Sequence, residues 1–239
     1  IIPSMYANSV HVMKMCHALS QHSEMVTLVA PDIKAKNLTV ENVYDYYDVV
    51  SSFHIQKLSW VNFSGRAYWY AYNTVRFNYS VKPDLVYGRF LPGCFFSVMN
   101  NYPTILEMHA PVARYGKIFQ FMFNRMLRKP SLLKIIVISE ALKKIFMEQY
   151  NVPESKLVVL HDGADLDTGE TSLSIGDPKK LQVGYIGSLY KGRGVEIIVA
   201  LAEQCPWADF HVIGGDFDQV KKKKAKYALF NNLFFYGHM

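Results

Sequence analysis

The run Gly187-Ser188-Leu189-Tyr190-Lys191-Gly192-Arg193-Gly194 lies between a strand-like segment, Val183-Gly184-Tyr185-Ile186, and a helical pattern over residues 195–205. A glycine turn after a strand, followed by cations and a helix start, gathers amide donors, a helix dipole and positive charge in one place. That combination suits a diphosphate. Gly187, Ser188, Lys191 and Arg193 are the candidate diphosphate contacts. On these residues alone, an ordinary strand-to-helix turn with solvated Lys191 and Arg193 is an equal reading. Two further glycine clusters, Gly214-Gly215 and Gly237-His238, each follow a short apolar run and are candidate ligand-side loops, where glycine turns offer amide donors. His109 follows the run Thr104-Ile105-Leu106-Glu107-Met108 at a strand end, where an imidazole can meet a reacting group.

Strands must deliver these residues. Short β-branched or aromatic runs are expected as strands at 26–30, 85–87, 104–108, 135–138, 157–160, 183–186, 210–213 and 233–236. Helical spacing falls between them: Val12, Met15, Cys16 and Leu19, then Ala141, Leu142, Ile145 and Phe146, then Ile197, Ile198, Leu201, Ala202 and Cys205. Apolar strands alternating with amphipathic helices predict the α/β class, with Rossmann-type, doubly wound parallel sheets covered on both faces. In such sheets ligands bind beyond the carboxyl ends of the strands, where His109, Asp162-Gly163, Gly187-Ser188, Gly214-Gly215 and Gly237-His238 all fall. A polar, turn-rich stretch at 164–180 marks a boundary. The expected domains are residues 1–165, holding a full sheet, and residues 166–239, with room for three strands.

Composition narrows the class. The 239 residues are 50% hydrophobic, 14% aromatic and 19% charged, which excludes disordered, collagen-like and disulfide-scaffold chains. A net charge of +6 favours anionic ligands or an anionic membrane surface without requiring nucleic acid. Cys16, Cys94 and Cys205 lack metal-type spacing and fit a reducing cytoplasm without disulfides. No apolar run reaches the roughly 18–20 residues of a membrane span. The first and last residues read as cut ends.

Several segments together resemble the retaining family 4 glycosyltransferases of GT-B fold. They are, in order, Pro83-Asp84-Leu85-Val86-Tyr87-Gly88-Arg89, Glu107-Met108-His109, Val137-Ile138-Ser139-Glu140-Ala141-Leu142, Leu160-His161-Asp162-Gly163-Ala164-Asp165, Val183-Gly184-Tyr185-Ile186-Gly187-Ser188-Leu189, Arg193-Gly194-Val195-Glu196, Val212-Ile213-Gly214-Gly215 and Phe235-Tyr236-Gly237-His238. The resemblance implies an acceptor-side domain first, then the beginning of a nucleotide-sugar domain. It implies transfer of a hexose from a nucleoside-diphosphate sugar to a glycan or lipid-linked acceptor in bacterial surface polysaccharide synthesis. His109 would touch the transferred sugar, and no metal, redox or other cofactor and no nucleic acid would take part. The protein would be cytoplasmic, with possible peripheral contact at the inner membrane face. Ser188 stands where the family usually has a phosphate-binding arginine, and Arg193 where it has lysine, so diphosphate contact shifts to Arg193 with help from Lys191. Asp162 replaces the usual asparagine and is given no catalytic part. The family's paired donor-site glutamates are expected beyond Met239, so residues 1–239 alone should be inactive. A GT-B nucleotide-sugar epimerase and a non-catalytic nucleotide- or sugar-binding module are the alternatives.

Other features receive plainer readings. Asp165-Leu166-Asp167 and Asp216-Phe217-Asp218 are chance triplets, not metal ligands. Lys221-Lys222-Lys223-Lys224 is expected as a solvated helix face, with contact to a membrane or an acidic partner as the minority reading. His11 belongs at the start of the first helix, after the loop Tyr6-Ala7-Asn8-Ser9. The basic and aromatic segment 115–129 is expected to bury Ile118, Phe119, Met122, Phe123 and Met126, with contact to lipid headgroups as the minority reading.

Overall fold

The computed structural model describes residues 1–33, 39–165 and 175–237, and the chain divides into two compact units, Ile1–Ala164 and Asp165–Met239. In the first unit α1 (Ala7–Ser20), β1 (Thr27–Asp32), α2 (Val43–Tyr46), β2 (His54–Ser59) and α3 (Arg66–Val81) come first. β3 (Val86–Gly88), α4 (Leu91–Met99), β4 (Thr104–Met108), α5 (Lys117–Leu127), β5 (Leu132–Val137), α6 (Glu140–Tyr150) and β6 (Leu157–Val159) follow. The second unit runs β7 (Leu181–Ile186), α7 (Val195–Gln204), β8 (Ala208–Ile213), α8 (Phe217–Lys226) and β9 (Leu233–Gly237).

All strand pairs are parallel, and each step within β3-β4-β5-β6 and β7-β8-β9 crosses over through a helix. The single full sheet expected in the first unit is instead two hydrogen-bonded sheets among the described residues, because β1 ladders with β2 and the three-residue β3 ladders with β4. Strand β5 stops at Val137, short of the expected Ile138, because Ser139 caps α6 by accepting the Leu142 N–H at 3.2 Å.

In the four-stranded sheet one face is packed by three successive helices. Leu106, Met108, Ile135 and Val137 meet Cys94 and Val98 of α4, Phe123 and Met126 of α5, and Leu142 and Phe146 of α6. Each such side chain contributes about 1.5–3 kcal/mol by leaving water. In the second unit Val195, Ala202 and Val220 of α7 and α8 pack on Phe210, Val212 and Phe235. The opposite face of that sheet holds His211, whose Nδ1 and Nε2 lie 2.8 Å from Tyr236 Oη and 2.6 Å from Gln182 Oε1. Ile186, the last residue of β7, is 82% exposed on the same face, whereas Asp209 and His211 there are buried.

Ile118 corrects the expected burial of α5. Met122, Phe123 and Met126 are buried, but Ile118 lies on the outer face with Phe121. Asp216 of the second Asp-x-Asp triplet is a helix cap: it accepts the Gln219 N–H at 2.8 Å while the Gln219 side chain takes the Asp216 N–H at 3.1 Å. Two members of the other triplet, Leu166 and Asp167, lie outside the described residues.

Candidate functional site

Strand parity assembles the first cluster. In β4 Leu106 and Met108 face the helical core, so Glu107 faces the other way, and His109 beyond the strand end keeps that parity. β3 runs parallel with Gly88 opposite Leu106, which sets Tyr87 and Arg89 on the Glu107 side. Gly88 is required there, since a Cβ would stand 2.5 Å from the buried Cys94 sulfur and push α4 off the sheet. α1 brings His11 to the same place, edge-on to His109 with ring centroids 5.4 Å apart.

Glu107 is the centre of this cluster and is only 3% exposed. Its Oε2 accepts the Tyr87 hydroxyl at 2.5 Å, and its Oε1 accepts His109 Nε2. Arg89 Nε stands 3.3 Å from the same Oε1. His11 Nε2 is 3.0 Å from Oε1 but off the direction a hydrogen bond needs, and this buried nitrogen has no other partner among the described residues. On its far side His11 Nδ1 lies 3.8 Å from Asp162 Oδ1. Burial by itself would raise the Glu107 pKa, but the hydrogen bonds from Tyr87 and His109 and the charges of Arg89 and His11 outweigh it and hold the carboxyl below its ordinary value. Burial and the same carboxylate push the Tyr87 phenol far above its usual range, so it remains a donor.

An ionised carboxylate only accepts, so His109 Nε2 carries a hydrogen and Nδ1 is the atom left for other chemistry. The cluster is thus a fixed imidazole held by a carboxylate that is itself held by a phenol and a guanidinium. His11, Glu107 and His109 could each offer one metal-ligand atom. The donor set argues for hydrogen bonding instead: Oε1 already faces His109, His11 and the Arg89 cation, which would oppose a metal ion at that oxygen.

The second cluster lies in the second unit. The Gly187 N–H donates to the Ile213 carbonyl at 3.0 Å and the Gly214 N–H to the Gly237 carbonyl at 2.7 Å, which ties together the ends of β7, β8 and β9. The Gly187 amide, expected as a phosphate donor, is therefore engaged within the sheet edge, and the Ser188 N–H is the one left without a hydrogen bond among the described residues. Gly214 has φ +125°, and a Cβ there would come 2.0 Å from the Gly187 oxygen. Gly215 packs on the buried Leu189. The Tyr185 hydroxyl lies 3.0 Å from the Ser188 carbonyl and 2.9 Å from the Arg193 carbonyl, so the loop is wrapped around one side chain. Lys191 and Arg193 are exposed, and no carboxylate pairs with either among the described residues. His238 lies outside the described residues.

Of the sequence-predicted residues, Gly187, Ser188, Gly214 and Gly237 meet at one sheet edge, with Gly215 packed against the same loop and Lys191 and Arg193 exposed farther along it. His109 belongs to the first unit. Sequence reasoning did not select His11, Tyr87, Arg89 or Glu107 as site residues. Two-residue spacing carried the signal, since Tyr87 and Arg89, like Glu107 and His109, must share a face if their strands are real.

Comparisons with known proteins agree with this architecture. No curated protein matches the chain. Among solved structures, Alr3699/HepE of Anabaena in complex with UDP and glucose superposes with a TM-score of 0.66 at 16% identity, over 99% of this chain and 67% of that one. A glycosyltransferase from Rickettsia africae gives 0.66 at 14% identity, over 97% of this chain and 64% of that one. A Listeria monocytogenes protein assigned as a UDP-N-acetylglucosamine 2-epimerase gives 0.61 at 9% identity, over 97% and 66%. The fold is that of GT-B glycosyltransferases, and this chain spans about two thirds of the length of those structures. The sequence profile of glycosyltransferase family 4 matches residues 9–168, the unit that holds His11, Glu107 and His109, and the chain belongs to that family.

Proposed function

We propose that the intact protein transfers a hexose, with retention, from a nucleoside-diphosphate sugar to a hydroxyl of a glycan or lipid-linked acceptor in bacterial surface polysaccharide synthesis. Its setting in this reading is cytoplasmic, with peripheral contact at the inner membrane face. The carrying observation is the carboxylate-held His109 at a parallel sheet edge, inside the part of the chain that matches the family. The sugar C1–oxygen bond to the diphosphate breaks, the diphosphate leaves with the bonding pair, and the acceptor oxygen bonds C1 on the same face. The acceptor proton goes to the departing phosphate or to water. Charge grows on the diphosphate as it leaves, so Arg193, Lys191 and the Ser188 N–H, with the α7 N-terminus, stabilise the transition state more than the ground state. His109 contacts the transferred sugar.

HepE, crystallised with UDP and with UDP-glucose, supports a nucleotide-sugar donor by analogy of fold. The test is to incubate the intact protein with UDP-sugars, with and without glycan and lipid-linked acceptors, and to follow UDP release and labelled product. Acceptor-dependent transfer supports the proposal. Conversion of a UDP-sugar to its epimer without acceptor favours the second reading, which the Listeria neighbour motivates. Binding without turnover of any donor returns the chain to a nucleotide- or sugar-binding module.

A further inference from the structure

Charge is unevenly spread along this chain. Residues 49–139 contain eleven lysines and arginines and two acids, Asp84 and Glu107, although the whole chain has 26 cations and 20 acids. Glu107 is buried beneath its donors, which leaves Asp84 as the exposed acid of that stretch.

Two helices from this stretch carry large apolar side chains outward. On α5 the outer face holds Ile118 at 59% and Phe121 at 63% exposure, with Tyr115 just ahead of the helix. Arg114, Lys117, Arg125 and Arg128 surround them at three- and four-residue steps, all exposed and none in an ion pair among the described residues. On α3 Trp69 and Tyr72 stand outward with ring centroids 5.9 Å apart, beside exposed Arg66, Arg76 and Tyr79. Both helices pack against α4. A helix face meant for water pairs its cations with acids at i,i+4 and does not cluster large apolar side chains outward. These faces depart from that on both counts.

We infer that the outer face of α5, with the preceding turn at Arg114 and Tyr115, is a docking surface for a bilayer that carries anionic lipid. Apolar side chains among unpaired cations match the boundary between acyl chains and acidic headgroups. Trp and Tyr, as on α3, are the aromatic residues that favour that depth. The aliphatic Ile118, 59% exposed at the centre of this face, favours lipid over nucleic acid, whose bases stack on aromatic faces rather than on alkyl groups. The inference rests on the peripheral membrane contact of the reading above and names its surface, and vesicle binding tests it separately from sugar transfer.

The experiment is co-sedimentation of the intact protein with vesicles of phosphatidylcholine alone and with vesicles that also contain phosphatidylglycerol. Binding is expected to the second kind only and to fall with salt. Arg125→Gln with Arg128→Gln should lower the partition coefficient roughly 30-fold, and Ile118→Ser with Phe121→Ser should lower it at unchanged charge. Lys221→Gln with Lys222→Gln on α8 removes the same charge elsewhere and should leave binding unaltered, and melting temperatures of all variants should match wild type. Absence of vesicle binding by the wild-type protein, equal loss in the α8 variant, or binding to a single-stranded oligonucleotide in place of vesicles overturns the inference.

Discussion

Glu107 and His109 lie two residues apart at the end of one strand, and the buried carboxylate of the first accepts the Nε2 hydrogen of the second. The bond fixes both the ring plane and the tautomer of the histidine. Glu107 thus acts through His109 and is a positioning residue. Glu107→Gln keeps the shape but turns an acceptor into a group that can also donate, so Nε2 need no longer carry the hydrogen. In the intact enzyme kcat should fall about 10- to 100-fold with donor KM nearly unchanged, and the pH–rate profile should shift. A variant that loses only melting temperature, with kcat and pH profile intact, shows a structural role instead.

His109→Ala should lower kcat by roughly 100-fold while donor affinity from equilibrium binding changes little. A merely packed histidine would lower the melting temperature and leave the rate per folded molecule intact.

Acid stability follows from the depressed Glu107 pKa. The unfolded carboxyl titrates near about 4.3. The folded group titrates below that, so above the unfolded value its ionisation stabilises the fold fully, and the gain disappears as pH falls through the folded value. Thermal melts from neutral pH to pH 3 should show wild type losing its advantage over Glu107→Gln on the acid side. A constant gap between the two across that range would contradict this origin.

Arg193→Ala removes a charge-assisted hydrogen bond worth about 1.5–3 kcal/mol if the guanidinium meets the diphosphate. Calorimetry on the intact protein should show UDP affinity falling by one to two decades and uridine affinity unchanged. Equal losses for both ligands would return Arg193 to an ordinary surface charge.

Gly214 and Gly184 make a matched pair for stability. Alanine at Gly214 meets the Gly187 oxygen at 2.0 Å and a φ of +125°, whereas alanine at Gly184 meets nothing within 4 Å. Gly214→Ala should cost about 1–3 kcal/mol or more, and Gly184→Ala should be neutral or slightly stabilising, as read by chemical denaturation.

Strands with strong apolar runs were legible from sequence, and so was the parallel class, because Ile135, Ile136 and Val137 of β5 are apolar and buried in succession and β8, though it carries Asp209 and His211, is buried along nearly its whole length. β2 was not legible. His54-Ile55-Gln56-Lys57-Leu58-Ser59 is mostly exposed and its partner β1 lies more than twenty residues earlier, so its strand character comes from a ladder that local pattern cannot reveal. α3 was missed because Tyr and Trp occupy both its buried and its exposed face, which blurs the period. Ile118 was placed inside on helical spacing that α5 does follow, but the buried stripe lies one step around, on Met122, Phe123 and Met126. The candidate histidine was visible as a strand-end residue. Its carboxylate, phenol and guanidinium company was not, since it depends on the register between β3 and β4.

The Tyr185 hydroxyl has one hydrogen and two carbonyl neighbours, Ser188 at 3.0 Å and Arg193 at 2.9 Å. At any instant one carbonyl goes without it. The loop therefore behaves as a clasp with two latches and a single pin. Moving the pin trades one bond of about 1 kcal/mol for another, so the chain beside Ser188 and the chain beside Arg193 can loosen in turn at almost no cost. Loosening both together forfeits the bond altogether, so at least one end of the loop stays tied to the strand that carries Tyr185.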